Sequence, residues 1–193
     1  EWLRHALSVT LKQQTGCQIY YLWSNERFHN RDFNGIHRFE FNLWSDYLDR
    51  CKPGLAVVTG RSIARTIAEP VLGDSRNLSL WATLKPIDRL VIEPSYEYAR
   101  LRYHDTVDDI FSGAILRARL NYQFTREMFL RLVVQYDEFD QRLDVDPLLT
   151  YRVNPFTMFF LGSTLDYHDL EGTARMTPTE RQFFLKLQYL LRV

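Results

Sequence analysis

This sequence lacks several features that would point to common classes of protein. No apolar run reaches the roughly 18 residues that a membrane-spanning helix needs. Two cysteines, Cys17 and Cys51, are too few for a disulfide scaffold, and we expect both thiols to be unpaired. The eight glycines form no phosphate-binding pattern. The formal net charge is zero, which argues against nucleic-acid binding, because phosphate backbones attract a basic excess.

What the chain has instead is alternation, which is clearest over residues 183–193. An extended strand places every second side chain on the same face. One face here is apolar or aromatic, with Phe183, Leu185, Leu187, Tyr189, Leu191 and Val193. The other is mostly polar, with Phe184, Lys186, Gln188, Leu190 and Arg192. An apolar stripe over about 9–11 residues is typical of a strand in a transmembrane β-barrel.

The same period recurs along the whole chain and predicts about eleven strands joined by hairpins. These segments are residues 3–11, 19–23, 39–43, 55–64, 78–84, 92–98, 116–124, 130–136, 149–153, 159–167 and 183–193. The pattern predicts an all-β fold, an antiparallel up-and-down transmembrane β-barrel. We expect residues 1–193 to form a single barrel region.

The links between these segments indicate an orientation. Bacterial outer-membrane barrels have short periplasmic turns and longer outer loops. We predict outer loops at residues 26–34, 67–76, 103–110, 137–144 and 168–180, and inner turns at 14–16, 45–53, 86–89, 125–127 and 154–155. With the last strand running inward, an odd strand count leaves the first strand without an outward partner. We therefore expect the C-terminal portion of a larger barrel, with at least about twelve strands; the alternative is a miscount at residues 55–64.

Two stretches support a resemblance to a known family. Residues 115–162 (ILRARLNYQFTREMFLRLVVQYDEFDQRLDVDPLLTYRVNPFTMFFLG) and the ending RQFFLKLQYLLRV resemble bacterial outer-membrane proteins of unknown function. In that family a module similar to carbohydrate-binding domains precedes a C-terminal β-barrel. The resemblance implies a bacterial outer-membrane location, and an upstream module and first strands that are absent from this sequence. The family has no established catalytic residues, so the resemblance assigns none here.

The polar faces of the predicted strands collect charged and amide side chains, which we expect to line a lumen. The candidates are Glu93, Glu97, Arg117, Arg119, Asn121, Gln123, Arg131, Gln135, Arg152, Lys186 and Arg192. A slightly basic lining would favour polar or anionic solutes in a porin-like pore. Glu93 and Glu97 lie one strand before Arg117 and Arg119, so cross-strand ion pairs are expected. An equally weighted alternative is a lumen in which such ion pairs block the passage of solutes. The predicted function is therefore a pore or a membrane anchor for an upstream ligand-binding module, and the alternative is a non-conducting scaffold that binds other envelope proteins.

The opposite faces have aromatic residues toward the strand ends, as in the two aromatic girdles of a membrane barrel. We predict that these residues face lipid or the membrane interface: Tyr98, Tyr122, Phe124, Tyr136, Tyr151, Tyr167, Phe183 and Tyr189. A soluble β-sandwich binding domain is the alternative, but core packing would not sort aromatic residues to strand ends.

Other chemistry is weakly indicated, and we predict a non-enzymatic protein with no cofactor and no metal. The acidic stretch from Asp137 to Asp146 lacks the glycine and spacing of a calcium loop, so we interpret it as a solvated outer loop. The five histidines show no zinc-ligand spacing. Ser163 and His168 are close in sequence, but nothing marks a nucleophile. The expected partners are outer-membrane lipid, polar or anionic solutes and other envelope proteins, with no nucleic acid.

Overall fold

The computed structural model of the protein describes residues 1–11, 14–169 and 176–190. Its strands are β1 Trp2–Thr10, β2 Thr15–Phe28, β3 Arg31–Ser45, β4 Cys51–Ala64, β5 Val71–Ile87, β6 Leu90–Tyr103, β7 Asp109–Gln123, β8 Met128–Asp137, β9 Arg142–Asn154, β10 Thr157–His168 and β11 Thr177–Tyr189. They form one eleven-stranded sheet in sequence order, with antiparallel neighbours. The predicted all-β, up-and-down architecture and strand count are confirmed, and the single sheet differs from a two-sheet sandwich.

The chain divides into two compact units. Unit 1 comprises Glu1–Trp81 and Tyr96–Ala114, and unit 2 comprises Ala82–Ser95 and Ile115–Val193. Strands β1 to β4 belong to unit 1, and β8 to β11 belong to unit 2. Each unit is described separately below.

The strands are longer than the apolar alternation predicted, and the links are correspondingly shorter. Between β2 and β3, the predicted outer loop at residues 26–34 is wrong, because only His29 and Asn30 separate the two strands. Both residues have positive φ, 49° and 62°. A two-residue link with this backbone is a type I′ turn, whose twist matches that of the flanking strands.

The links define two ends for the strands. We call one of them the turn end, where the described links at residues 46–50, 88–89, 124–127 and 155–156 have two to five residues, and where β1 ends and β2 begins. The other end is the loop end, where the described links at residues 29–30, 65–70, 104–108 and 138–141 have two to six residues, and where β10 ends and β11 begins. The predicted contrast in length is therefore weaker than expected, because hydrogen-bonded ladders continue into the polar segments.

Little apolar surface is buried in the described part of the chain. In unit 1, Phe33, Ile36 and Ile63 form a small buried cluster near the loop end, with Phe28 and Leu72 packed against it. Large apolar side chains elsewhere are exposed, including Leu185 at 74%. Residues 1–11, 14–169 and 176–190 contain no helix long and apolar enough to cross a membrane.

The first and last strands are the most exposed. The sheet order begins with β1 and ends with β11. Every residue of β1 is exposed, and so is every residue of β11 except Thr177. A strand at the end of a sheet leaves backbone donors and acceptors available along one side.

Candidate functional site on the polar face

The register of unit 2 sorts its side chains into two faces, because directly opposed residues on neighbouring strands share a face. Arg119 is opposite Val133, which is opposite Asp146. Leu120 is opposite Leu132, which is opposite Pro147. We call the face with Arg119, Val133 and Asp146 the polar face of unit 2, and the face with Leu120, Leu132 and Pro147 its apolar face. Following the register through β10 and β11 continues both faces from Met158 to Asp166, with bulges between Thr157 and Met158 and between Asp166 and Tyr167.

Most of the predicted site residues of unit 2 follow this division. The polar face contains Glu93, Arg117, Arg119, Asn121, Gln123, Arg131, Gln135, Arg152 and Lys186. The apolar face contains Tyr122, Tyr136, Tyr151, Tyr167, Phe183 and Tyr189. Phe124 begins the link after β7, where its ring meets that of Tyr122 edge to face at 4.8 Å. Arg192 lies outside the described residues. That these faces line a lumen and contact lipid remains a prediction.

A cross-strand ion pair lies on the polar face of unit 2. Arg119 Nε donates to Glu93 Oε2 at 2.6 Å, and Asn121 Nδ2 lies 3.5 Å from the same oxygen. This is one of the pairs that the sequence predicted. Glu97, in unit 1, instead accepts a hydrogen bond from Ser79 Oγ. Tyr98, next along β6, points to the opposite face, and its hydroxyl lies 3.2 Å from Ser112 Oγ.

Acidic side chains form a row on the polar face toward the loop end of unit 2. Asp144 is opposite Asp166, which is opposite Glu180. Arg142 Nε and Nη2 hold the Asp144 carboxylate at 2.6 and 2.7 Å. The prediction that Asp144 and Asp146 belong to a solvated loop is wrong, because both lie in β9 and Asp144 is buried. Sequence polarity does not distinguish a polar strand face from a loop.

Basic and aromatic side chains share the polar face nearer the turn end of unit 2. Lys186 Nζ lies 5.8 Å from the centre of the Phe160 ring. Phe184 covers Gly162, where an added Cβ would lie 2.4 Å from the ring Cζ. The face is therefore acidic toward the loop end of β9 to β11 and more basic toward the turn end.

Unit 1 has its own mixed polar face, which sequence reasoning did not assign as a site. Arg4 is opposite Leu22, which is opposite Arg38. In the next row, Tyr20 is opposite Glu40. These residues and Trp2 line a cavity of about 260 Å³. The signal available in the sequence was that Arg4, Arg38 and Glu40 fall on the polar sides of their alternating segments; the structure adds that β1 and β3 flank the same strand, β2.

The same face of unit 1 has a row in which tryptophan and glycine alternate. Gly16 is opposite Trp44, which is opposite Gly54. The Trp44 ring covers Gly16 and the Trp81 ring covers Gly54, since an added Cβ would lie 2.2 and 2.0 Å from the respective rings. Any side chain larger than hydrogen would displace the indole. These two tryptophans therefore lie on the polar face and not in an apolar girdle.

A second polar cluster connects three strands at the loop end of unit 1. His104 Nδ1 lies 3.1 Å from Asp74 Oδ1, and its Nε2 lies 3.0 Å from Arg61 Nη2. Because arginine only donates, Nε2 accepts this hydrogen bond and Nδ1 donates to the carboxylate. Arg102 Nη2 approaches the same carboxylate at 3.9 Å. The cluster joins β4, β5 and the residue after β6.

The described residues contain no metal-ligand cluster, and they do not bring Ser163 and His168 together as a pair. No group of three or more His, Cys, Asp or Glu side chains able to hold a metal occurs in residues 1–11, 14–169 and 176–190. Ser163 is opposite Phe183 on the apolar face, whereas His168 is opposite Arg142 on the polar face. Cys17 and Cys51 are free thiols.

Comparison with known proteins adds little to these observations. No family model matches the chain, and no curated protein matches it. Among solved structures, the chain is similar to a NanC porin at 12% identity, over 98% of this chain and 93% of that chain, with a TM-score of 0.41. This similarity is too low to transfer a function, so the resemblance to the outer-membrane family of unknown function remains an expectation.

Proposed function

We propose that this chain is the C-terminal part of a bacterial outer-membrane β-barrel that acts as a pore for polar or anionic solutes. The observation that supports it is the separation of apolar and charged side chains onto opposite faces of the sheet. On β11 the apolar face presents Phe183, Leu185 and Leu187, and the polar face presents Gln182, Lys186 and Gln188. Lipid on one side and water on the other would satisfy both faces.

The exposure of the apolar face supports lipid as its partner. Leu161, Phe183 and Leu185 are 55%, 75% and 74% exposed. Soluble monomers rarely expose contiguous apolar surface above a few hundred Å², because such surface associates in water. Fractionation is the first test: we expect the protein to pellet with membranes and to require detergent for extraction. A chain that stays in solution without detergent would contradict the proposal.

Unpaired arginines support an anionic solute. Arg117, Arg131 and Arg152 make no ion pair with any described residue, whereas Arg119 is paired with Glu93. A guanidinium without a carboxylate partner can bind an anion from solution, and rings of such groups set the selectivity of pores.

Planar-bilayer conductance tests the pore. Under a potassium chloride gradient, we expect a reversal potential showing anion preference, and Arg117→Glu combined with Arg131→Glu should shift it toward cation preference. The two single variants are measured beside the double variant, and Arg126→Glu is the matched control for each of them, because it makes the same change of two charges in the exposed turn at residues 124–127. A silent bilayer would refute the pore, and an equal shift in the control would refute the assignment of Arg117 and Arg131 to its lining.

A non-conducting anchor or scaffold is the second candidate. The Arg119–Glu93 pair and the Phe184 ring on the polar face favour it, because both occupy space that a solute would need. This function predicts no conductance, together with co-purification of other envelope proteins through the barrel or through an upstream module.

We also propose that upstream strands pair with β1. Its full exposure supports this, since an unpaired edge strand is a template for another strand. Hydrogen exchange in a longer chain that includes residues before Glu1 tests it: the β1 amides should become protected. Unchanged exchange of β1 in the longer chain would contradict it.

A further inference from the structure

The cavity on the polar face of unit 1 has the composition of an anion-binding site. It is lined by Trp2, Arg4, Tyr20, Leu22, Arg38 and Glu40. Arg4 and Arg38 stand in one row on either side of Leu22, on β1 and β3. Two guanidinium groups therefore reach the same cavity from opposite sides.

Arg4 is held by an aromatic ring and not by a carboxylate. Its Cζ lies 4.2 Å from the centre of the Tyr20 ring, and the Tyr20 hydroxyl donates to Gln18 Oε1 at 2.9 Å. Stacking on a ring face uses the plane of the guanidinium and leaves its in-plane N–H donors available. Arg4 makes no ion pair with any residue that the structure describes.

Arg38 is only loosely neutralised. Its Nη2 lies 3.8 Å from Glu40 Oε2, and Glu40 Oε1 also accepts from Asn42 Nδ2 at 3.0 Å. Two guanidinium groups face one carboxylate, so the lining has a net charge of +1. One further negative charge would balance it.

We propose that this cavity binds a monoanionic organic acid, with its carboxylate on Arg4 and Arg38 and a flat apolar body beside Trp2 and Leu22. Two arginines suit a carboxylate because each guanidinium can donate two parallel hydrogen bonds. Glu40 disfavours a dianion, since a second negative charge would lie near its carboxylate. Binding requires the cavity and not conduction, so it can be measured whether or not the pore exists.

Fluorine NMR on the full chain in detergent micelles tests this site, with 4-fluorobenzoate as the probe and neutral 4-fluorobenzamide as its matched control. Protein-free micelles supply the background. We expect saturable broadening of the benzoate signal only. Arg4→Gln and Arg38→Gln should each weaken binding about tenfold or more, the size of a lost charge-assisted hydrogen bond. Glu40→Gln should tighten it several-fold.

A distant arginine separates a site from a general charge effect. Arg27, which pairs with Asp32 at 3.7 Å and does not line the cavity, supplies Arg27→Gln, for which we expect unchanged binding. Circular dichroism confirms that each variant keeps its strand content. Equal broadening of the amide, an equal loss in Arg27→Gln, unchanged binding in the Arg4 and Arg38 variants, or weaker binding in Glu40→Gln would each overturn the proposal.

Discussion

Replacement of Gly162 by alanine should destabilise the protein because Phe184 occupies the space. The new Cβ would lie 2.4 and 2.7 Å from ring atoms Cζ and Cε1, and 3.1 Å from Leu148 Cδ1. Carbon atoms in contact rest at about 3.5–4.0 Å, so the ring must move by roughly 1 Å or swing away from the strand. Phe184 is 47% exposed and can swing outward, but the contact with the glycine is then lost.

The size of the effect follows from the area of that contact. A fully buried aromatic side chain covers about 150–250 Å², so a half-buried ring covers roughly 100 Å². At about 25 cal/mol per Å², complete loss costs at most about 2.5 kcal/mol. Alanine regains roughly 0.5–1 kcal/mol over glycine within a strand. We therefore expect Gly162→Ala to lower the free energy of unfolding by about 1–2 kcal/mol.

A double-mutant cycle separates the clash from other effects. With Phe184→Ala already present, Gly162→Ala should be neutral or stabilising, so the sign of its effect changes between the two backgrounds. Urea-induced unfolding in lipid vesicles, followed by tryptophan fluorescence, measures the four free energies. If Gly162→Ala has the same effect in both backgrounds, Phe184 does not set the cost and the reasoning is wrong.

Three further predictions test other parts of the molecule. A double-mutant cycle of Glu93→Gln and Arg119→Gln, measured by urea unfolding, should give a coupling energy of about 0.2–1 kcal/mol, because the Arg119 side chain is 48% exposed. A larger coupling energy would show that water is excluded from this ion pair. Gly60→Ala should lower the free energy of unfolding by about 2–4 kcal/mol, more than Gly162→Ala does. The reason is that Gly60 has a φ of +145° and the new Cβ would lie 2.1 Å from the His37 carbonyl oxygen. Near-wild-type stability would refute that geometry. Leu185→Arg should destabilise the protein in bilayers by about 2–4 kcal/mol, whereas Gln182→Arg on the polar face of β11 should have little effect. Unfolding in lipid vesicles measures both free-energy changes, and equal values would contradict the assignment of faces.

The strand count and the two faces of unit 2 could be predicted because alternation is a local property of the sequence. Arg117, Arg119 and Arg131 fall on the polar side of the alternation in the sequence. The pairing of β7 with β8 places all three on the same face of the sheet. A one-residue slip would exchange the faces of a whole strand, so a consistent pattern strongly constrains register.

The lengths of the strands could not be predicted in the same way. Hydrogen-bonded ladders continue where the apolar alternation stops, as at the His29-Asn30 turn and at Asp144 in β9. The backbone bonds that extend a strand do not depend on side-chain polarity, so polar strand ends and polar loops have the same sequence signal.

The pairing of tryptophans with glycines also required the structure. A tryptophan is expected at a membrane interface on general grounds. Trp44 and Trp81 instead cover glycines on the polar face, which depends on what stands opposite each residue on the next strand. That information is nonlocal.

Tryptophans lie on both faces of unit 1, so their fluorescence can report on the surroundings of each face separately. Trp44 and Trp81 share the polar face of unit 1, whereas Trp23, opposite Leu3 and His37, lies on the reverse face. If the reverse face meets lipid as proposed, a collisional quencher dissolved in water should reach Trp44 and Trp81, and one dissolved in the acyl chains of a bilayer should reach Trp23. The intrinsic fluorescence of the unmodified chain can thus test which face meets water and which meets lipid, without an added dye.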